Sequence, residues 1–183
     1  MASIEQNLTQ YAAYHRDRRN IATHFVGVPL IVFSIVLALA TVAVPAGSIA
    51  ITLAAVVSIA ASLYYLKLDL MLGITMAVVL FAMCAAASEM TARLGIGASL
   101  AWALGIFVVG WAIQFLGHKF EGVKPAFYDD VKQLLIGPLF VCAEAYFLLG
   151  GRKELRRHVE DRVGPTVSKR DGRAIPILDE PRF

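Results

Sequence analysis

The chain has 183 residues, 58% of them hydrophobic and 17% charged, with a formal net charge of +3 and a mean hydropathy of +0.66. A soluble domain of that length has too little interior to hide so many apolar side chains, so the composition excludes an ordinary soluble protein, and also disorder, a coiled coil and collagen. The basic excess sits beside the apolar segments and forms no stripe that could track phosphates, which argues against nucleic acid as a partner.

In chain order, residues 4–20 read as a polar, partly amphipathic helix lying in the membrane interface, with Tyr11, Tyr14, Arg16, Arg18 and Arg19 suited to the headgroup layer. Four stretches that follow are long enough to cross a hydrocarbon core of about 30 Å as helices. They run from Phe25 to Val44, Gly47 to Leu66, Leu70 to Ser88 and Gly95 to Leu116. The basic N-terminus and the small residues Val44-Pro45-Ala46 resemble a signal peptide with its cleavage site. The apolar run between them is long for a signal core and suits a span. A fifth segment, Leu134 to Gly150, carries Gly137-Pro138 near its start and Glu144 near its middle, which predicts a kinked or re-entrant element. The expected fold is all-α and polytopic: a single membrane-embedded domain over residues 1–150, then a charged tail over 151–183. That tail starts as a helix and breaks up around Gly164-Pro165, Pro176 and Pro181.

Lys and Arg in the short links set the orientation. Arg16, Arg18 and Arg19 precede the first span, and the link around Pro45 and Ala46 has no basic residue. Lys67 lies in the second link, Arg93 in the third, and Lys119, Lys124 and Lys132 in the fourth. The N-terminus, the even links and the tail with Arg152, Lys153, Arg156 and Arg157 are therefore expected inside. This describes a multi-pass protein of a bacterial inner membrane, or of the endoplasmic reticulum, with four spans and a fifth segment that does not cross. The sequence leaves open whether it is a monomer or a homo-oligomer.

Polar residues at or within spans are costly to bury and are the first candidates for function. They are His15, Asn20, His24, Gln114, His118, Glu121 and Glu144, with Lys67 and Asp69 at the second inner turn and Glu89 and Arg93 outside. Cys84 and Cys142 lie in apolar runs and read as core filler, not as a disulfide framework or a thiolate metal cluster. His24 before the first span and His118 after the fourth share one membrane face, and His15 joins them from the N-terminal helix. His158, in the charged tail, reads as an ordinary surface residue. Gln114, His118 and Glu121 fall at i, i+4 and i+7, one stripe of a helix that continues past Gly117. His118 and Glu121 have the spacing by which a helix presents an imidazole and a carboxylate to a metal. The alternative is helix-end capping with a surface ion pair between Glu121 and a lysine. On one straight helix His15 and His24 would point in opposite directions, about 13 Å apart along the axis. One metal centre therefore requires a bend near Asn20 and Thr23, and without it two sites are needed. Histidines with carboxylates suit iron, zinc, manganese or copper about equally.

Two blocks of residues carry a resemblance. The first is Tyr11-x-x-x-His15-x-x-x-x-Asn20-x-x-x-His24-x-x-Gly27-x-Pro29. The second is Trp111-x-x-Gln114-Phe115-x-Gly117-His118, with Phe120, Glu121 and Pro125-Ala126 close behind, and then Gly137-Pro138-x-Phe140 and Glu144. Over residues 5–150 the chain resembles the membrane-bound 2-hydroxy fatty acid dioxygenases, which include the fungal enzyme of phytosphingosine α-oxidation and bacterial relatives. The resemblance implies an iron(II) enzyme of lipid metabolism that uses dioxygen to remove one carbon from a 2-hydroxy fatty acid, with catalytic, metal-binding histidines that correspond to His15, His24 and His118. The substrate would lay its chain among the membrane lipids between spans, with its carboxylate held by Arg16, Arg18, Arg19 or Lys119. Asn20, Gln114 and Glu121 would orient imidazoles or add a ligand, and Glu144 would either meet the site or pair with another span. The rival readings are a haem protein with His24 and His118 as axial ligands, and a transporter or scaffold built around Glu144 and the Gly-Pro break. The sequence has no evident internal repeat, which weighs against the transporter.

Overall fold

The computed structural model describes residues 3–46, 49–126 and 130–168. Helix α1 spans Ile4–Ala12 and begins with a capping box: Ser3 Oγ accepts the Gln6 backbone N–H at 3.3 Å, and Gln6 Oε1 accepts the Ser3 N–H at 2.9 Å. The single helix expected over residues 4–20 is not formed. The chain turns after Ala12, and α2 runs from Arg18 to Ala40. Asp17 starts the next helix, because its Oδ1 accepts the Arg19 backbone N–H at 2.8 Å and so takes up an orphan donor of the first turn of α2. This is the bend that a single site for His15 and His24 requires, placed slightly earlier than Asn20 and Thr23.

The chain divides into two compact units. One contains Met1–Val28 and the residues from Ala112 onward, and the other is Pro29–Trp111. In the second unit the expected span from Gly47 to Leu66 is corrected, although Gly47 itself lies outside the described residues. Strand β1 (Ala43–Ala46) pairs antiparallel with β2 (Ile49–Thr52), and α3 is a 16-residue helix over Leu53–Leu68. The first span accordingly ends at Ala40, not Val44. Val42, Val44, Ile49, Ile51 and Thr52 are β-branched and favour extended backbone. Thr52 then accepts the Ala55 N–H at 3.2 Å and starts the helix. The fold is thus almost entirely helical with one short hairpin, where an all-α chain was expected.

Helix α4 covers Leu70–Glu121 with one non-helical residue, Gly95, at φ 77° and ψ 169°. Only glycine takes this conformation without strain. The break divides two apolar runs, as the expected spans from Leu70 and from Gly95 imply. Leu37 and Ala40 of α2, Ala54 of α3, and Cys84, Ala87 and Ala103 of α4 are buried together in this unit. Cys84 Sγ lies 3.1 Å from Ser58 Oγ, as core filler should. Helices α2 and α4 are long and apolar enough to cross a membrane. Many of their large side chains, such as Val78, Trp102, Leu104 and Val108, are exposed, which suits a lipid-facing surface.

In the first unit α1 packs on α5 (Gln133–Leu148) and on α6 (Lys153–Val163). These last two helices are bent by 111° at the break between them. α5 itself stays helical through Gly137-Pro138, so the bend falls after Leu148 and not at the Gly-Pro where a kink was expected. Leu155, Val159 and Val163 form the buried stripe of the otherwise charged α6. The chain then runs beside the α1–α2 turn. Val167 N–H donates to the Arg16 carbonyl and Arg18 N–H donates to the Val167 carbonyl, both at 2.8 Å. The expected break-up of the tail around Pro176 and Pro181 lies outside the described residues.

Candidate metal centre

His15 lies in the α1–α2 turn, His24 in the second turn of α2 and His118 in the last turn of α4, and all three are buried. One ring nitrogen of each lies within 4.8 Å of those of the other two. The ring centroids are 4.5 Å (His15 to His24), 4.9 Å (His15 to His118) and 5.2 Å (His24 to His118) apart, with interplanar angles of 76°, 72° and 79°. Three imidazoles thus converge on one point from roughly perpendicular planes.

Their tautomers follow from their partners. His15 Nδ1 lies 2.7 Å from the Tyr11 carbonyl oxygen, and His24 Nδ1 lies 2.9 Å from that of Asn20. A carbonyl oxygen only accepts, so both Nδ1 atoms donate, and both Nε2 atoms are left with bare lone pairs. Those two Nε2 atoms are 3.0 Å apart. Two lone pairs facing at that distance repel unless a cation lies beside both. Two nitrogens each about 2.1 Å from one ion and roughly at right angles around it have this separation. His118 Nδ1 is buried with no hydrogen-bond partner among the described residues. Burial, reinforced by the neighbouring His24 and His118 rings, pushes the His15 imidazole well below its ordinary pKa and keeps it in the neutral form that binds metals. The donor set therefore fits a divalent transition metal. It does not fit a haem with His24 and His118 as axial ligands, because the His15 ring lies within 5 Å of both, in space a macrocycle between them would need.

Glu121 fixes the turn that carries His15. Its side chain is fully buried and is not the surface ion-pair partner of a lysine. Oε1 accepts the Arg16 backbone N–H, and Oε2 accepts both the Asp17 backbone N–H and the Asn20 Nδ2–H, each at 2.9 Å. One carboxylate from the end of α4 thereby ties together the turn and the start of α2, and His118 on the same helix end is placed against the other two histidines.

Gly117 permits the approach. A Cβ at this position would fall on Thr23 Oγ1 and Asn20 Oδ1. In an open helix Gly→Ala stabilises by about 1 kcal/mol. We predict the opposite sign for Gly117→Ala, a loss of about 1–3 kcal/mol in denaturant unfolding together with weaker metal binding, because overlap with α2 outweighs propensity.

Tyr11, expected in the headgroup layer, is instead buried and stacked on His15, with centroids 4.1 Å apart and planes within 4°. Phe140 of α5 packs against the same side, its ring 5.5 Å from His15 and 4.8 Å from Tyr11. Gln114 is buried, and its Oε1 has no partner among the described residues. Glu144 pairs with Arg16 at 3.3 Å. Arg16 also donates from Nε to the Ala12 and His15 carbonyls and from Nη1 to that of Gly164. Arg19 pairs with Asp17 at 2.7 Å and lies over the Phe120 ring, and Lys119 is exposed. Sequence reasoning missed Asp17, whose position before a basic run was a readable capping signal. It named Phe140 only within a motif, with no role. His158 is half-buried on α6 and is not part of the cluster.

Residues 1–149 match the family model described as 2-hydroxy-palmitic acid dioxygenase Mpo1-like. The 2-hydroxy-palmitic acid dioxygenase MPO1 of Saccharomyces cerevisiae is 32% identical over 162 residues, which cover 87% of this chain and 89% of that protein. No solved structure matches the chain. With a match over most of its length that includes all three clustered histidines, the chain belongs to the Mpo1-like family.

Proposed function

We propose that this chain is an iron(II)-dependent dioxygenase that shortens 2-hydroxy fatty acids by one carbon, with its site at the cytosolic face of a membrane. The observation that carries this reading is the buried convergence of His15, His24 and His118, with the Nε2 atoms of His15 and His24 3.0 Å apart. The family match supports a 2-hydroxy fatty acid as the substrate class. The basic residues that flank the same unit, Arg16, Arg18 and Arg19 on one side and Lys119, Lys124 and Lys132 on the other, support the cytosolic placement.

The reaction balances without an outside reductant: RCH(OH)COOH and O2 give RCOOH, CO2 and H2O. Iron(II), when bound, supplies the redox chemistry that lets dioxygen react with a closed-shell hydroxy acid. The residues do the rest. The Tyr11 and Asn20 carbonyls hold His15 and His24 in the tautomers that aim Nε2 inward, and Glu121 holds the turn. Tyr11 and Phe140 keep water from the His15 side, which favours a neutral, metal-binding imidazole. Gln114, one helical turn before His118, has a buried amide oxygen that we assign to orienting the substrate or the His118 ring.

The test is incubation of purified full-length protein with 2-hydroxypalmitate in air, with and without added iron(II), followed by mass analysis. The expected product is pentadecanoate, formed only when iron(II) is present. Unchanged 2-hydroxypalmitate in the iron-loaded sample would sink the proposal.

A further inference from the structure

Apart from the histidine cluster, the first unit holds a half-open cavity of about 410 Å³, within the range of about 300–1,000 Å³ typical of small-molecule sites. Ile21 and Phe25 of α2 and Phe147 and Leu148 of α5 give it an apolar wall. Its charged residues are Arg16, Arg18, Arg156, Glu144 and Glu160. Both carboxylates are engaged, Glu144 by Arg16 at 3.3 Å and Glu160 by Arg156 at 2.8 Å. Arg18 is exposed and has no ion pair among the described residues. The cavity therefore has one uncompensated guanidinium above a hydrocarbon wall, and its complement is an amphipathic monoanion.

We propose that this cavity is a second binding site, separate from the histidine cluster, for a long-chain carboxylate, with the head at Arg18 and the chain along Phe25, Phe147 and Leu148. The choice of a carboxylate over other monoanions rests on the reading of the chain as an enzyme of 2-hydroxy fatty acids. Placement agrees with that choice. Phe140, beside His15, and Glu144, at the cavity, are four residues apart on α5, about 6 Å along one helix face. Val159, Glu160 and Thr166 complete the wall from the segment beyond the family match.

The test uses full-length protein in nanodiscs of zwitterionic phospholipid, with metal removed by a chelator, and a photoreactive palmitate analogue. Crosslinks should map to the end of α5 and to α6. Palmitate should compete, and hexadecanol should not. Arg18→Gln should weaken labelling about tenfold, as loss of a charged hydrogen bond does. Leu148→Glu should do the same. Arg18 is exposed and Leu148 is 71% exposed, so neither replacement disturbs packing. Crosslinks that map elsewhere, labelling that both variants leave unchanged, or preferential competition by lysophosphatidate would each overturn the assignment. Labelling is read without metal or turnover, so it succeeds or fails independently of whether pentadecanoate is formed.

Discussion

Replacing His15, His24 or His118 by Ala should abolish both iron binding and conversion of 2-hydroxypalmitate, while His158→Ala should leave both near wild type. The three rings converge on one point, so each deletion removes a donor that no other histidine, cysteine or carboxylate among the described residues joins them to supply. The loss should exceed the roughly 10–100-fold that removal of an outer partner of a metal ligand costs. A second readout separates site from fold. Iron(II) at about 100 times its Kd should stabilise the wild type by about 2.7 kcal/mol through mass action, and should not stabilise any of the three variants. Metal-free His15→Ala and His24→Ala should unfold much as the metal-free wild type does, because deleting either ring also relieves the repulsion between the facing Nε2 lone pairs of His15 and His24. Wild-type turnover in His118→Ala would remove that residue from the site.

Much of this centre could be read from the chain. Helical geometry alone showed that His15 and His24 need a bend to meet, and the structure puts the bend at residues 13–17. The i, i+4, i+7 spacing put Gln114, His118 and Glu121 on one stripe, and all three are buried. What Glu121 does there was not legible, because two of its partners are backbone N–H groups, which every residue except proline carries. The hairpin was missed for a different reason. A continuous apolar run gives the same hydropathy in a strand as in a helix, so Ile49 to Thr52 merged with the helix that follows. In α6, Leu155, Val159 and Val163 at i, i+4 and i+8 were a readable stripe, but the surrounding charge made the segment look like a solvated tail.

Removal of the Glu121 carboxylate should be the most damaging change outside the histidines. Glu121→Ala leaves the Arg16 N–H, the Asp17 N–H and the Asn20 Nδ2–H buried without this acceptor. Each such donor costs about 1–3 kcal/mol, so the sum is a large part of the roughly 5–15 kcal/mol that holds a domain together. We predict a cooperative loss of structure at low denaturant and little recoverable protein. Glu121→Gln keeps the shape and one acceptor but turns an NH2 group toward donors, so it should fold with reduced stability and allow the metal to be studied. If Glu121 acts by holding the His15 turn, iron(II) affinity in this variant falls about 10–100-fold, while the visible spectrum of the cobalt(II)-saturated protein stays that of the wild type. A changed ligand-field spectrum at saturation would instead make Glu121 a fourth ligand, and the turn would then be held by Asp17 and the backbone of Val167 without it.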